Sequence, residues 1–261
     1  MRIVTWNINS VRLRADLVER VAQWLHPDVI CLQETKSPDE FFPREAFERF
    51  GYTHLAISGM KGYNGVAIAS RYPLTAVRNL NFVGREDCRH IQATVQGIEV
   101  HNLYVPAGGD IPDPDENKKF AHKLAFLDEI AASFTGIGRS RRPMVLVGDL
   151  NVAPLPNDVW SHKQMLKVVS HTPIEVEKLG AVQASAKWVD AVRHFVPPET
   201  QLYSWWSYRA NDWEASDRGR RLDHIWVTPK LVPSLSEYTI LREARGWEQA
   251  SDHVPVMVEI R

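Results

Sequence analysis

Cysteine is nearly missing: the chain holds only Cys31 and Cys88, far apart and neither beside another cysteine. That excludes a disulfide framework and a CxxC metal site, and it fits a reducing compartment. Long apolar runs are missing too. No uninterrupted apolar segment approaches membrane-spanning length, and Met1 to Ile8 read as a strand rather than as a charged region followed by an apolar leader. The expectation is a cytoplasmic protein with no membrane partner. Nor is there a surplus of charge of one sign. With 31 Lys+Arg against 32 Asp+Glu the formal net charge is -1, which lacks the global basic footprint of non-specific DNA binders, so any nucleic-acid contact must be local. Internal repeats, linkers and low-complexity tracts are absent as well. A chain of 261 residues with 44% hydrophobic content is long enough to bury one substantial core, and one domain over residues 1–261 is the default.

What is present is an alternation of short β-rich runs with amphipathic stretches. Residues 2–8, 28–33, 65–70, 91–95, 99–105, 143–149, 222–228 and 254–260 read as strands. Between the first two, Leu13, Leu17, Val21, Trp24 and Leu25 recur at helical spacing, and Pro27 cannot continue the helix. A second helix spans about residues 117–134, with Phe120, Leu124, Leu127 and Ile130 on one face and Gly136 beyond its end. Gln96-Gly97 separates two alternating runs by the two residues a tight hairpin needs, so this part of the sheet is antiparallel and the sheet as a whole is mixed. Gly, Pro, Asn and Asp cluster at 107–115, 153–158, 196–200 and 209–219, which read as loops. Three basic groups lie near loops or on helix surfaces: Lys118, Lys119 and Lys123; Arg139, Arg141 and Arg142; Arg218, Arg220 and Arg221. Each alone reads as an ordinary solvated surface.

Polar residues recur where the apolar strands end, at Asn7 and Asn9, Glu34, Asp149 and Asn151, Asp223, and the Asp252-His253 pair. Singly each has an ordinary explanation: Asn7 or Asn9 as a helix cap, Asp149 as an Asx turn, Asp223 as a salt bridge to Arg220 or Arg221. Together they suggest one shared site. Ligands of α/β sheets bind at strand ends, where loops aim side chains into a crevice and the rigid sheet fixes their geometry. Acids without a local excess of base repel one another unless a cation or protons compensate, and a hard metal ion is the simpler compensation. Carboxylate and amide oxygens without cysteine favour magnesium or manganese over zinc, with Glu34 the first ligand expected.

The blocks Trp6-Asn7-Ile8-Asn9, Leu32-Gln33-Glu34-Thr35-Lys36, Asn64-Gly65-Val66-Ala67-Ile68, Gly148-Asp149-Leu150-Asn151, Arg221-Leu222-Asp223-His224 and Ser251-Asp252-His253 occur in order. Asn102-Leu103-Tyr104-Val105-Pro106 and Tyr203-Ser204-Trp205-Trp206-Ser207-Tyr208-Arg209 stand between them. On these blocks the chain resembles the exonuclease III family of abasic-site endonucleases, from the first strand to the last. The resemblance implies a four-layered α/β sandwich, two mixed β-sheets flanked by helices, of the DNase I-like kind in the endonuclease/exonuclease/phosphatase superfamily. It also implies a monomeric DNA-repair phosphodiesterase that uses Mg2+, with Mn2+ as a substitute. Its partner would be double-stranded DNA with abasic sites or blocked 3′ ends, with no obligate protein partner. Carried onto matching positions, Glu34 would bind the metal, with Asn7, Asn9, Asp252 and Asp223 nearby. Asp149 would orient or deprotonate the attacking water, Asn151 would hold the phosphate and the attacking oxygen, and Tyr104 would contact the phosphate or assist proton transfer. His253 would donate to a phosphoryl oxygen while Asp223 fixes its tautomer. Those roles meet the needs of phosphodiester cleavage: an activated water, compensation of oxyanion charge, and stabilisation of the leaving 3′-oxygen.

Trp205, Trp206 and Leu222 match the region where the family builds an apolar pocket for a sugar lacking its base, and Arg220 and Arg221 are candidates to grip phosphate. Arg89 and His90 complete the expected substrate-binding set. Three positions depart from the relatives: Asn9 stands where they place Asp, Ala107 where they often carry an amide, and His90 where arginine is frequent. Trp160 and His162, with Lys163 and Lys167, are expected to rim the cleft, in a region some family members use to block internal sites and favour 3′ ends. Activity on both internal sites and 3′ ends is expected. His101, His122, His171, His194 and His224 receive no catalytic role, because an isolated histidine is more often a surface or hydrogen-bonded core residue. Two other readings compete. A phosphodiesterase acting on phosphoinositides or sphingomyelin would share the fold but not the Trp-Trp loop, and a non-catalytic nucleic-acid-binding regulator would not keep Glu34, Asp149, Asp223, Asp252 and His253.

Overall fold

The computed structural model describes residues 1–136, 142–210 and 212–261. Its strands are β1 (Arg2–Asn7), β2 (Val29–Gln33), β3 (His54–Ser58), β4 (Val66–Ser70), β5 (Thr75–Arg78), β6 (His90–Val95), β7 (Ile98–Tyr104), β8 (Met144–Asp149), β9 (Val189–Asp190), β10 (Asp223–Val227), β11 (Leu235–Ile240) and β12 (Val256–Ile260). The helices are α1 (Ala15–Leu25), α2 (Arg44–Arg49), α3 (Lys118–Phe134), α4 (His162–Met165), α5 (Pro173–Ser185) and α6 (Trp213–Ser216). Every strand expected from periodicity is present, with ends within about two residues, the ordinary uncertainty of such boundaries. Of the additional strands, β5 is exposed at every position and β9 has two residues, so neither carries a periodic signal.

One sheet runs β11-β12-β1-β2-β4-β3 and the other β5-β6-β7-β8-β10-β9. Each contains a parallel pair, β1 with β2 and β7 with β8, among antiparallel neighbours, so both are mixed. The parallel pairs are the two joined by the long helices α1 and α3, as a crossover between parallel strands requires. The β6–β7 hairpin turns at Gln96 and Gly97, both at positive φ (49° and 80°), which suits the right-handed strand twist.

The sheets pack face to face. Ile3, Val29, Cys31 and Ile68 of the first meet Ile91, Val100, Val147 and Ile225 of the second in one buried core. On the outer side of the first sheet, Val4, Trp6, Ile30 and Leu32 pack with Val18 and Val21 of α1 and Phe47 of α2. On the outer side of the second, Leu103, Leu146 and Trp226 pack with Phe126, Leu127 and Ile130 of α3 and Leu179 of α5. This is the four-layered arrangement. At roughly 25 cal/mol per Å2 of apolar area, these three interfaces carry most of the folding drive.

Two local expectations are corrected. Leu13 and Trp24 are not part of the buried face of α1: they are 56% and 50% exposed, and Val18, Val21 and Ala22 are buried instead. Lys123 is not a surface residue; it has no exposure and lies on the buried side of α3. Arg139 and Arg141 lie outside the described residues, and Arg142 pairs with Glu99. No helix among the described residues is long and apolar enough to cross a membrane.

Candidate active site

Strand alternation decides which polar residues meet. Ile3 faces the inter-sheet core, so Asn7, four residues on, shares that face where β1 ends. By the same period Val145 and Val147 bring Asp149 to that face, Val100 brings Tyr104, and Ile225 brings Asp223. Asp149 is in register with Tyr104 on one side and Asp223 on the other. Gly148 permits that close ladder: its φ is 143°, and a Cβ there would stand 1.8 Å from the carbonyl oxygen of Leu103. Glu34, Asn9 and Asn151 enter from the following loops in left-handed backbone, with φ of 49°, 48° and 52°. Such a conformation costs a non-glycine residue about 1–2 kcal/mol and persists where the surroundings over-determine it. Around Glu34 they do: its carbonyl accepts from Ser10 N–H, while Thr35 and Lys36 N–H donate to Gly65 and Asn64.

The side chains form one connected network. Asn7 Nδ2 donates to Glu34 Oε1 (3.0 Å) and to Asp149 Oδ2 (2.9 Å). Tyr104 OH donates to Glu34 Oε1 at 2.7 Å, and Lys36 Nζ lies 2.8 Å from Glu34 Oε2. Asn151 donates its backbone N–H to Asp149 Oδ1 and its amide to Asp149 Oδ2, both at 3.0 Å. His253 Nδ1 lies 2.8 Å from Asp223 Oδ2, and its Nε2 faces Asp149 Oδ2 at 3.7 Å. Ser204, a residue the sequence did not single out, donates to the same Asp223 oxygen at 2.6 Å. Trp205 Nε1 donates to Asp252 Oδ2 at 2.9 Å, which ties the tryptophan loop to the acid beside His253.

Electrostatics separates the acids. Burial pushes Glu34 up, but Asn7, Lys36 and Tyr104 outweigh it and hold the carboxyl below its usual range. Burial pushes Asp149 up, against the pull of His253 and reinforced by the negative Asp223. His253 would be pulled down by burial; the carboxylates of Asp223 and Asp149 more than reverse this and raise it to about 10. Tyr104 is pushed well above its ordinary value by burial and by Glu34 and Asp149, so its hydroxyl remains a donor. The network can therefore hold one carboxyl poised to take a proton beside an imidazole that keeps its own.

A cleft of about 720 Å3 opens here, and Glu34, Tyr104, Asp149, Asn151, Asp252 and His253 all line it. Trp160, Trp205, Trp206, Arg220 and Leu222 line it too. Arg220 stacks over the Trp205 ring at 4.9 Å, and Arg218, known from the sequence only as part of a basic group, lines the cleft over the Trp160 ring at 4.6 Å. Tyr208 also lines the cleft, and its hydroxyl accepts from Asn9 Nδ2 at 3.4 Å. Asn9 otherwise accepts from Lys36.

Other expected contacts are not brought to the cleft. His90 is 1% exposed, accepts from Leu80 N–H and faces His101. Arg221 is 2% exposed and held between Asp158 and Asp190, so it neither reaches a phosphate nor pairs with Asp223. Arg89 stacks over the Tyr104 ring at 4.7 Å and pairs with Asp87, supporting the site from outside its lining. His162 follows Trp160 closely in the chain and hydrogen-bonds His171 at 2.8 Å without lining the cleft.

Among the described residues, Asp149, Asp223 and His253 are the acid and histidine side chains close enough to share one metal ion. Their atoms already serve one another, since Asp223 Oδ2 accepts from both His253 and Ser204. Glu34 and Asp252 also line the cleft; Asp252 commits one oxygen to Trp205, while Glu34 Oε1 accepts from Asn7 and Tyr104 and its Oε2 pairs with Lys36. Every donor there is oxygen, while Cys31 is buried between the sheets, so the donor chemistry fits a hard divalent cation rather than a soft one.

The sequence matches the model of the Endonuclease/Exonuclease/phosphatase family over residues 4–253. It is 29% identical to an exodeoxyribonuclease III from Haemophilus influenzae, each chain covered in full. Among solved structures, an AP endonuclease from Archaeoglobus fulgidus superposes with a TM-score of 0.90 at 32% identity, over 100% of this chain and 99% of that one. A 3′ phosphatase from Neisseria bound to a product DNA hairpin superposes at 0.88 with 31% identity and the same coverage. With its two mixed sheets flanked by helices, the chain belongs to the endonuclease/exonuclease/phosphatase family.

Proposed function

We propose that the chain is an Mg2+-dependent DNA-repair phosphodiesterase, a single catalytic domain over residues 1–261 acting as a cytoplasmic monomer. It incises duplex DNA 5′ to abasic sites and processes 3′ ends. The observation that carries this reading is the line Asp223–His253–Asp149 at the cleft, with an imidazole raised to about 10 between two carboxylates. Asp149 accepts the proton of the attacking water, and Asn151, bonded to both of its oxygens, orients that carboxyl and holds the phosphate. His253, charged and fixed by Asp223, donates to a phosphoryl oxygen as negative charge builds. Mg2+, when held by Glu34 and Asp252 with Asn7 and Asn9 nearby, supplies charge compensation for the leaving 3′-oxygen. Tyr104 and Asn7 keep Glu34 in place. Trp205, Trp206 and Leu222 form the apolar wall for a sugar without its base, while Arg220 and Arg218 hold flanking phosphates. The test uses pure protein on duplexes with an internal abasic analogue, a 3′-phosphate or a normal 3′ end. Chelator and Asp149→Asn are expected to abolish cleavage of all three; no internal incision removes the endonuclease reading.

A second reading restricts the enzyme to 3′ ends. It is favoured by the likeness to the Neisseria 3′ phosphatase and by the His162–His171 pair in the segment containing Trp160. His162→Gly then raises internal incision relative to 3′-end processing. An unchanged ratio discards the restriction.

A further inference from the structure

Lys123 and Glu175 form a buried ion pair beneath one wall of the cleft; neither side chain has any exposure. The Lys123 ammonium donates to the Asn151 carbonyl at 2.7 Å, to the Ala107 carbonyl at 3.3 Å and to the Glu175 carboxylate. An ammonium has three protons, and all three are used. The Glu175 carboxylate also accepts from Ser170 N–H, Thr172 N–H and Thr172 Oγ. The pair thus links α3 to α5 and clamps the loops that follow β7 and β8 and the one that precedes α5.

All three loops enter the cleft, since Ala107, Asn151 and Ser170 line it. Asn151 has a left-handed backbone, and its carbonyl finds Lys123 while its N–H and amide reach the two oxygens of Asp149. Burial pulls Lys123 below its usual range, partly offset by the Glu175 carboxylate. A buried ion pair is often replaceable by apolar side chains without loss of stability, so packing alone does not call for one here. What the ammonium supplies that an apolar side chain cannot is directed donors on two loop carbonyls at once.

We infer that Lys123 is a positioning residue for the reaction proposed above, holding Asn151, and through it the Asp149 carboxylate, at the angle of attack. The inference rests on that functional reading. The double variant Lys123→Met with Glu175→Gln removes both charges together, and Lys123→Gln removes the ammonium alone. Each is melted and assayed with wild type on the abasic duplex in Mg2+. For a folded double variant, kcat falls on the order of 10²-fold while KM stays within about threefold, the signature of misplaced reacting groups rather than weakened binding. A folded double variant with wild-type kcat, or one that loses activity through KM alone, overturns the positioning role. If the double variant does not fold, Lys123→Gln decides in combination with Asn151→Ala. A kcat loss that disappears when Asn151 is already alanine supports the role, whereas wild-type kcat or a loss that persists in full overturns it. Wild-type protein inactive on every duplex overturns the proposed function and this inference with it. An active wild type beside undiminished variants overturns the inference only.

Discussion

Two buried histidine clusters in this molecule differ in charge, one ring protonated and the other pair neutral. At the cleft, His253 stands between Asp223 at 2.8 Å and Asp149 at 3.7 Å, and is raised to about 10 although burial alone would lower it. On the outer side of the second sheet, His90 and His101 share one acid. His90 Nδ1 accepts from Leu80 N–H, so its proton sits on Nε2 and is donated to His101 Nδ1; His101 Nε2 then donates to Glu99 Oε1 at 2.8 Å. Every link is satisfied with both rings neutral. Burial lowers both, His90 well below the usual value, and Glu99 offsets only part of the effect on His101. Burial is common to both clusters; the number of carboxylates per ring is not. At His253 two carboxylates face one ring and outweigh its burial, and that place opens onto the cleft; at His90 and His101 one carboxylate serves two rings and does not.

The sharpest way to break this contrast is to remove each ring in turn. His253→Gln should lower kcat on the order of 10³-fold, as for loss of an oxyanion donor, while His101→Gln stays within about threefold of wild type. Equal losses would mean that the neutral cluster also serves the chemistry. Next in size, Asp223→Asn should lower kcat on the order of 10²-fold and bring His253 back down toward an ordinary imidazole. Histidine NMR on the metal-free protein checks this, with wild-type His253 still protonated at pH 8 and the variant ring neutral. A wild-type ring that is neutral at pH 8 contradicts the assignment.

The smallest effect lies in stability against pH, where the two clusters have opposite signs. Because its folded value is raised, His253 stabilises the fold fully below the unfolded value of about 6.5, and that contribution is lost as pH rises through about 10. His90 and His101, lowered in the fold, cost stability as pH falls below about 6.5, because the unfolded chain then binds protons that the fold excludes. Urea midpoints at pH 7.5 and pH 5 should show His90→Asn losing less than wild type, by about 1 kcal/mol. An identical acid slope in the two proteins would mean that this cluster does not titrate on unfolding.

Much of the fold and of the site is legible in the chain itself. The regular strands announce themselves because one face of each alternates against a sheet, whereas β5 and β9, exposed or short, leave no period to read. The polar residues at strand ends are visible as well, and Asn7, Glu34, Asp149, Asp223 and His253 do converge. His90, Arg221 and Lys123 deceive for one shared reason: a charged or titratable side chain in sequence carries no mark of the partner that buries it. Asp158 and Asp190 enclose Arg221 from tens of residues away, as Glu175 encloses Lys123. Ser204 gives only the faint signal of standing beside the Trp-Trp pair, although its hydroxyl meets Asp223.

Sequence by itself determined eight of the twelve strands among the described residues, the two crossover helices, the hairpin at Gln96-Gly97 and the family blocks, because periodicity and turn chemistry act over a few neighbouring residues. Only the tertiary structure decided which acid faces which ring, which arginine is locked away and which lysine sits beneath the cleft. Those outcomes depend on desolvation and on charges delivered by segments far apart in the chain, and neither is written in any local stretch.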